Sequence, residues 1–380
     1  MQKIISTLIS AAIFVSCSVT RNTINRNEVS INSLKFLGGY EIPFNQQYKG
    51  TSIGGLSGID YDDRSKQYYI ICDDRSSINP ARFYTARIDF TQSGISSVDF
   101  INVTTLLQHD NSSYPDRKKD PAYSPDPEAI RYNAVTDKFV WTSEGERIAG
   151  KETILGQPAI TIINKQGKFL DTFPLPFQTR MYEIEKGLRQ NSAFEGLAFA
   201  DNFKTMFVSI EEPLYEDGPR AGLKDTAAYT RIIKYDVASR RPVAQYAYHL
   251  EAVAHPPTPA NGFKVNSIPE ILSIGDNKLL VIERSFSTGI LACTIRVYIT
   301  DFSNASNILD RQSLKQQPPA HAAKKRLLIN MDALGIYIDN IEGVTFGPDL
   351  PNGHKTLIFV SDNNFIPLQK TQFLLFEVLN

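Results

Sequence analysis

The sequence predicts an all-β protein: a β-propeller, of five blades in preference to six, closed by its N-terminal strand. Three observations predict it. First, five stretches nearly repeat one another: Gly55-Leu56-Ser57-Gly58, Pro127-Glu128-Ala129-Ile130, Phe194-Glu195-Gly196-Leu197, Pro269-Glu270-Ile271-Leu272 and Ile341-Glu342-Gly343-Val344. Their markers Ser57, Glu128, Glu195, Glu270 and Glu342 are spaced by 71, 67, 75 and 72 residues, the period of a radially repeating β architecture. Second, each unit carries about four strand-like runs separated by turn residues such as Asn164-Lys165-Gln166-Gly167. Third, the last unit reaches only three strands, ending at Phe373–Val378, while Ser33–Gly38 lies before the first repeat without a partner. A terminal strand that completes the last blade would close the ring and remove an edge.

Taken in chain order, the elements begin with an export signal. Met1-Gln2-Lys3 supplies a positive charge, and the apolar run Ile4–Val15 is too short to span a bilayer. Cys17 directly after Phe14-Val15-Ser16 resembles a bacterial lipobox, so residues 1–17 read as a lipoprotein-type signal with Cys17 the lipidated residue, and 18–32 as a polar tether. The domain would then be 33–380, held at the cell envelope, in the outer membrane or periplasm; the alternative is secretion after ordinary cleavage. Within it the excursions 106–126, 174–192, 249–267 and 313–326 are rich in Pro, Asp, Asn and Lys and read as blade crossovers covering one face, with Lys324-Lys325-Arg326 a solvated loop edge. Cys72 and Cys293 lie in apolar strands and read as two buried thiols.

Inside each repeat the marker is followed, after a turn and an apolar strand, by a second acid. Glu128 and Glu144, Glu195 and Glu211, and Glu342 and Asp362 are each centred on a turn-like segment. An antiparallel hairpin brings such residues to its open end. Asp73 and Glu283 take the second place in the first and fourth units. If these are the innermost hairpins, the acids converge on one channel mouth and repel one another unless a cation or basic ligand is present.

The 380 residues carry a net charge of −1 and no long basic stripe, which argues against nucleic-acid binding, and nothing points beyond a monomer. No Gly-x-Gly-x-x-Gly after a strand, phosphate-binding loop, Cys-x-x-Cys or His-Glu-x-x-His is present, and none of the five histidines falls at a repeat's acidic position. Gly54-Gly55-Leu56-Ser57-Gly58 has the outline of a nucleophile elbow, but that motif needs a strand–turn–helix setting, so Ser57 reads as a repeat position.

Gly55-Leu56-Ser57-Gly58 with Asp73-Asp74-Arg75-Ser76, the Glu128, Glu195 and Glu342 motifs, Glu283-Arg284 and Ser361-Asp362-Asn363-Asn364 together resemble the phytase-like family, described by an esterase-like activity of phytase. The resemblance spans about Phe36 to Val378 and implies a propeller and ester hydrolysis, phosphoester ahead of carboxyester; it transfers no catalytic residue. The residues themselves suggest a hard-oxygen site for a divalent cation, calcium first, drawn from Asp73, Glu128, Glu144, Glu195, Glu211, Glu270, Glu283, Glu342 and Asp362, with Asn340, Asn363 and Asn364 nearby. Glu195 or Glu342 would hold the metal or act as general base, and Arg75 and Arg284 would neutralise developing charge on a small ester or phosphoester, with Arg131 a weaker candidate. The other readings are structural ion pairs, a surface binding module without catalysis, and a calcium-dependent lactonase.

Overall fold

In the computed structural model, residues 29–380 are described, and five antiparallel blade sheets, four of them four-stranded and one five-stranded, are arranged along the chain. Blade 1 is Leu56–Asp62, Gln67–Cys72, Arg82–Thr91 and Gly94–Thr105; blade 2 is Pro127–Asn133, Lys138–Ser143, Ala159–Ile163 and Phe169–Thr172. Blade 3 is Phe194–Ala200, Thr205–Ile210, Tyr229–Asp236 and Arg241–His249. Blade 4 is Ile271–Gly275, Lys278–Ser287, Thr294–Asp301 and Lys324–Asn330, with Lys264–Ser267 extending the pairing of its long second strand. Blade 5 is Asn340–Phe346, Thr356–Asp362, Thr371–Leu379 and Ser33–Ile42. The first-named strand of each blade is innermost and contacts its counterparts in the neighbouring blades around a ring. These are the five stretches that carry the sequence markers.

Covering by neighbours on both faces explains the composition. Leu56–Asp62 and Pro127–Asn133 are buried along their whole length, whereas the outer strands Arg241–His249 and Lys324–Asn330 alternate towards solvent. The glycine after the marker has a steric cause. A Cβ on Gly58 would lie 2.8 Å from the carbonyl oxygen of Glu128, and one on Gly196 would lie 2.5 Å from the amide nitrogen of Ile271. Inner strands pass each other backbone to backbone there, and only glycine fits.

Three expectations are corrected. Ser33–Ile42 pairs with Thr371–Leu379 as the outermost strand of blade 5, but no sheet is closed by any strand: each remains open with an inner and an outer edge. The N-terminal strand moves that edge outward and does not remove it; the ring arises from inner strands packing against one another. The stretch 313–326 is not a crossover, since it leads to the fourth strand of blade 4; the link from blade 4 to blade 5 is 331–339, opening with the 3-10 turn Met331–Leu334. Lys324-Lys325-Arg326 is not a loop edge, because it forms the start of that strand and Lys325 reaches Glu283 at 2.6 Å and Glu251 at 3.0 Å. Cys72 and Cys293 are buried free thiols, as expected. Residues 1–17, including Cys17, and 18–28 of the tether lie outside the described residues.

Candidate functional site

Each marker sits at an irregularity of its inner hairpin. The register slips between Leu56 and Gly58, Pro127 and Ile130, Phe194 and Leu197, and Ile341 and Gly343, so Ser57, Glu128, Glu195 and Glu342 occupy β-bulges. Glu270 lies in the gap between Lys264–Ser267 and Ile271–Gly275. A bulge bends its strand and re-aims the extra side chain, which turns these carboxylates from the sheet face towards the axis. The second acids follow the hairpins' other strands at the same open end, offset rather than directly opposite.

The result is a buried ring of like charge. Asp126, Glu128 and Glu144, and Glu144, Glu195 and Glu211, form two triads whose carboxylate oxygens lie within 4.8 Å of one another, sharing Glu144. Glu342, Asp362 and Asp73 continue the ring. Arg284 bridges Glu211 at 2.7 Å and Glu342 at 3.0 Å and also donates to Asn340 Oδ1. Arg75 pairs with Asp126, lies 3.4 Å from Glu146 and reaches Asn191. Burial, then the charge of neighbouring acids, pushes Glu128, Glu144, Glu195 and Asp362 well above the usual carboxylate range. Burial, Glu342 and Asp126 push Asp73 up to about 8; burial raises Glu342 to about 7 against the pull of Arg284. The Glu195 carboxylate takes no hydrogen bond from a described residue, and Arg284 is its opposing charge against Glu144, Glu211 and Glu342. Such a set holds shared protons or a cation. All the donors are carboxylate oxygens, a set suited to a hard divalent ion.

Two residues from the sequence-based set are not brought into the ring. Glu283 takes hydrogen bonds from Tyr248 (2.8 Å), Asn266 (2.6 Å), the Glu251 amide (3.0 Å) and Lys325 (2.6 Å). Glu270 is tied to Arg131 at 2.7 Å and accepts from the amides of Leu197 (3.0 Å) and Ile271 (2.9 Å). Arg131 itself lies on the axis, donating to carbonyls of all four other blades: Leu197 at 2.6 Å, Ile271 and Val344 at 3.2 Å, and Ile59. It is a structural pin. Ser57 Oγ donates to the Glu128 carbonyl at 2.8 Å, which makes it a repeat position and not a nucleophile. Asn340 donates to Glu342 at 2.9 Å, whereas Asn363 Oδ1 accepts the amides of Gly55 and Phe365 and Asn364 contributes its backbone N–H to Asp362.

Sequence reasoning missed Asp126 and Glu146. Asp126 was absorbed into a crossover, although it directly precedes Pro127-Glu128; Glu146, two residues after Glu144, pairs with Arg117 and Arg75 and accepts from Gln190 at 2.5 Å.

The raised carboxyls fix a sign. Each binds more protons folded than unfolded between about pH 4.5 and its raised value, so its contribution to stability is full below that window and is lost as pH rises through it. The cation-free protein is therefore expected to melt at a lower temperature at pH 8 than at pH 5.5. A divalent cation that binds these carboxylates should flatten that slope, since its ligands must be deprotonated. A melting temperature that rises with pH in chelator would contradict the arrangement.

Fold and ring together define a propeller with an acidic, Arg-bridged channel mouth. The chain belongs to the phytase-like family, described as "esterase-like activity of phytase", whose family model matches residues 51–365. That membership makes ester hydrolysis the activity expected of the domain. Among solved structures the chain is similar to a thermostable family-43 glycoside hydrolase (11% identity, 88% of this chain and 91% of that one, TM-score 0.46). It is also similar to an endo-arabinase from Bacteroides thetaiotaomicron (10%, 87% and 95%, TM-score 0.41), and to a periplasmic gluconolactonase of Pseudomonas aeruginosa (8%, 87% and 87%, TM-score 0.36). Likeness this distant carries nothing about chemistry. A search of the curated proteins gave no match.

Proposed function

We propose that the domain is a calcium-dependent ester hydrolase acting at the acid-lined mouth, on phosphoesters ahead of carboxyesters. The observation that carries the reading is the pair of triads sharing Glu144, with the Glu195 carboxylate left without a donor. Glu128, Glu144, Glu195 and Glu211 would hold the cation, which when bound supplies charge to polarise the ester. Glu342, raised to about 7, is poised to take and return a proton near neutral pH. Arg284 keeps Glu342 in place and offers positive charge to the transition state. Phosphate chemistry wants several cations at the mouth, and Arg117 and Arg220, partly exposed and paired with Glu146 and Glu212, add to Arg75 and Arg284. This favours a phosphoester over a lactone. The test is a screen of phosphomonoesters, phosphodiesters, carboxyesters and lactones with calcium and with chelator. Turnover of a lactone alone would favour the lactonase, and no turnover the binding module.

The same reading includes an exported, monomeric protein anchored through Cys17. The described chain enters beside Ile274, where the Val29 amide donates to its carbonyl at 2.8 Å. That is the hairpin-turn end of the channel, so a tether there would leave the acid mouth facing away from the bilayer. Cys17→Ser is expected to move the protein from the membrane to the soluble fraction; membrane retention of this variant would remove the anchor.

A further inference from the structure

One well-formed cavity is not at the acid ring. It lies at the opposite mouth, among the turns of the inner hairpins, with a volume of about 610 Å³. Arg131 and its carbonyl partners stand on the axis between the two ends. The walls mix aromatic and apolar groups, Tyr61, Phe199, Phe203, Phe346 and Ile274, with the polar Asp201, Ser273 and Thr345. Asp63 pairs with Lys66 at 2.6 Å and Asp349 with Lys355 at 3.3 Å, and Asp201 adds one more acid, so the lining has no surplus of positive charge. Two further features set the cavity apart from an incidental dent. The Tyr61 hydroxyl on this wall is buried, with the Lys66 ammonium of the rim beside it. Asp201, Asn202 and Phe203 are three consecutive residues at positive φ (52°, 55° and 64°), and Phe203 is a bulky residue in a left-handed conformation.

We propose that this mouth is a second binding site, for an uncharged ring-bearing molecule that packs against Phe346 beside the largely buried Phe199 and Phe203. The volume is that of a small-molecule pocket, and its aromatic and apolar walls are interspersed with polar groups that can fix orientation. Aromatic faces favour a flat ring. Paired charges give no net attraction to an anion, which separates this ligand from a phosphoester bound at the acid ring. The Tyr61 hydroxyl supplies a donor for a carbonyl or hydroxyl oxygen once Lys66, exposed on the rim, shifts aside.

The probes are 2-naphthamide and 2-naphthoate, nearly the same shape and differing in charge, titrated calorimetrically into the full-length protein. The amide is expected to bind saturably and the carboxylate at least about 10-fold more weakly. Ser273→Trp, which fills the cavity from its edge, should weaken the amide by about 10-fold or more while leaving the calcium-induced rise in melting temperature intact. Tyr61→Phe should weaken it several-fold. Glu195→Gln should leave amide binding unchanged, so failure here and failure of the ester-hydrolase reading are separable. The proposal is overturned if the amide does not bind, if the carboxylate binds equally, or if Ser273→Trp has no effect on binding, each in protein that melts cooperatively.

Discussion

Arg131→Met is expected to lower stability by about 3–5 kcal/mol, the range for removing one partner of a buried ion pair. The guanidinium lies on the axis and is nearly fully buried, and its loss leaves Glu270 without its counter-charge. It also leaves carbonyls of Ile59, Leu197, Ile271 and Val344 without a donor in a place water reaches poorly. The fall in melting temperature should be on the order of 5–10 °C. Adding Glu270→Gln should recover part of the loss, because the uncompensated charge is the larger share of the cost. If Arg131→Met melts like the parent, the axial pin is not a stabilising element.

Glu195→Gln is expected to abolish function and yet stabilise the protein in chelator. In the metal-free ring Glu195 is a buried carboxylate facing Glu144, Glu211 and Glu342, so an uncharged amide of the same shape relieves repulsion. With the cation's ligand set broken, the calcium-dependent rise in melting temperature should disappear. Ester turnover should fall by about 10²–10⁴-fold, the scale of losing a positioned catalytic group. Paired measurements of melting and turnover separate this from a structural role, which would lower both. Turnover that survives would place the chemistry elsewhere on the mouth.

The sequence by itself favoured five blades over six, and determined their order and which residues belong to one end of the channel. It could do so because the marker and its acidic partner recur with the repeat, and strand pairing keeps the two at the same end of a hairpin whatever the surroundings. Glu128, Glu144, Glu195, Glu211, Glu342, Asp73 and Asp362 were legible on that ground. The direction of each side chain was not. Glu270 and Glu283 have the same local pattern as their counterparts, yet one is drawn to Arg131 from another blade and the other to Lys325 from the fourth strand of its own. Asp126 and Glu146 enter the site from segments outside the repeated pattern, and only the packing of those segments over the mouth brings them in. The open sheets, with Ser33–Ile42 as a remaining edge, were likewise decided in three dimensions. Local pairing is written in the spacing of residues along the chain; which charge meets which across blades depends on side chains 70 or more residues apart, as with Arg284 and Glu211 at a sequence separation of 73.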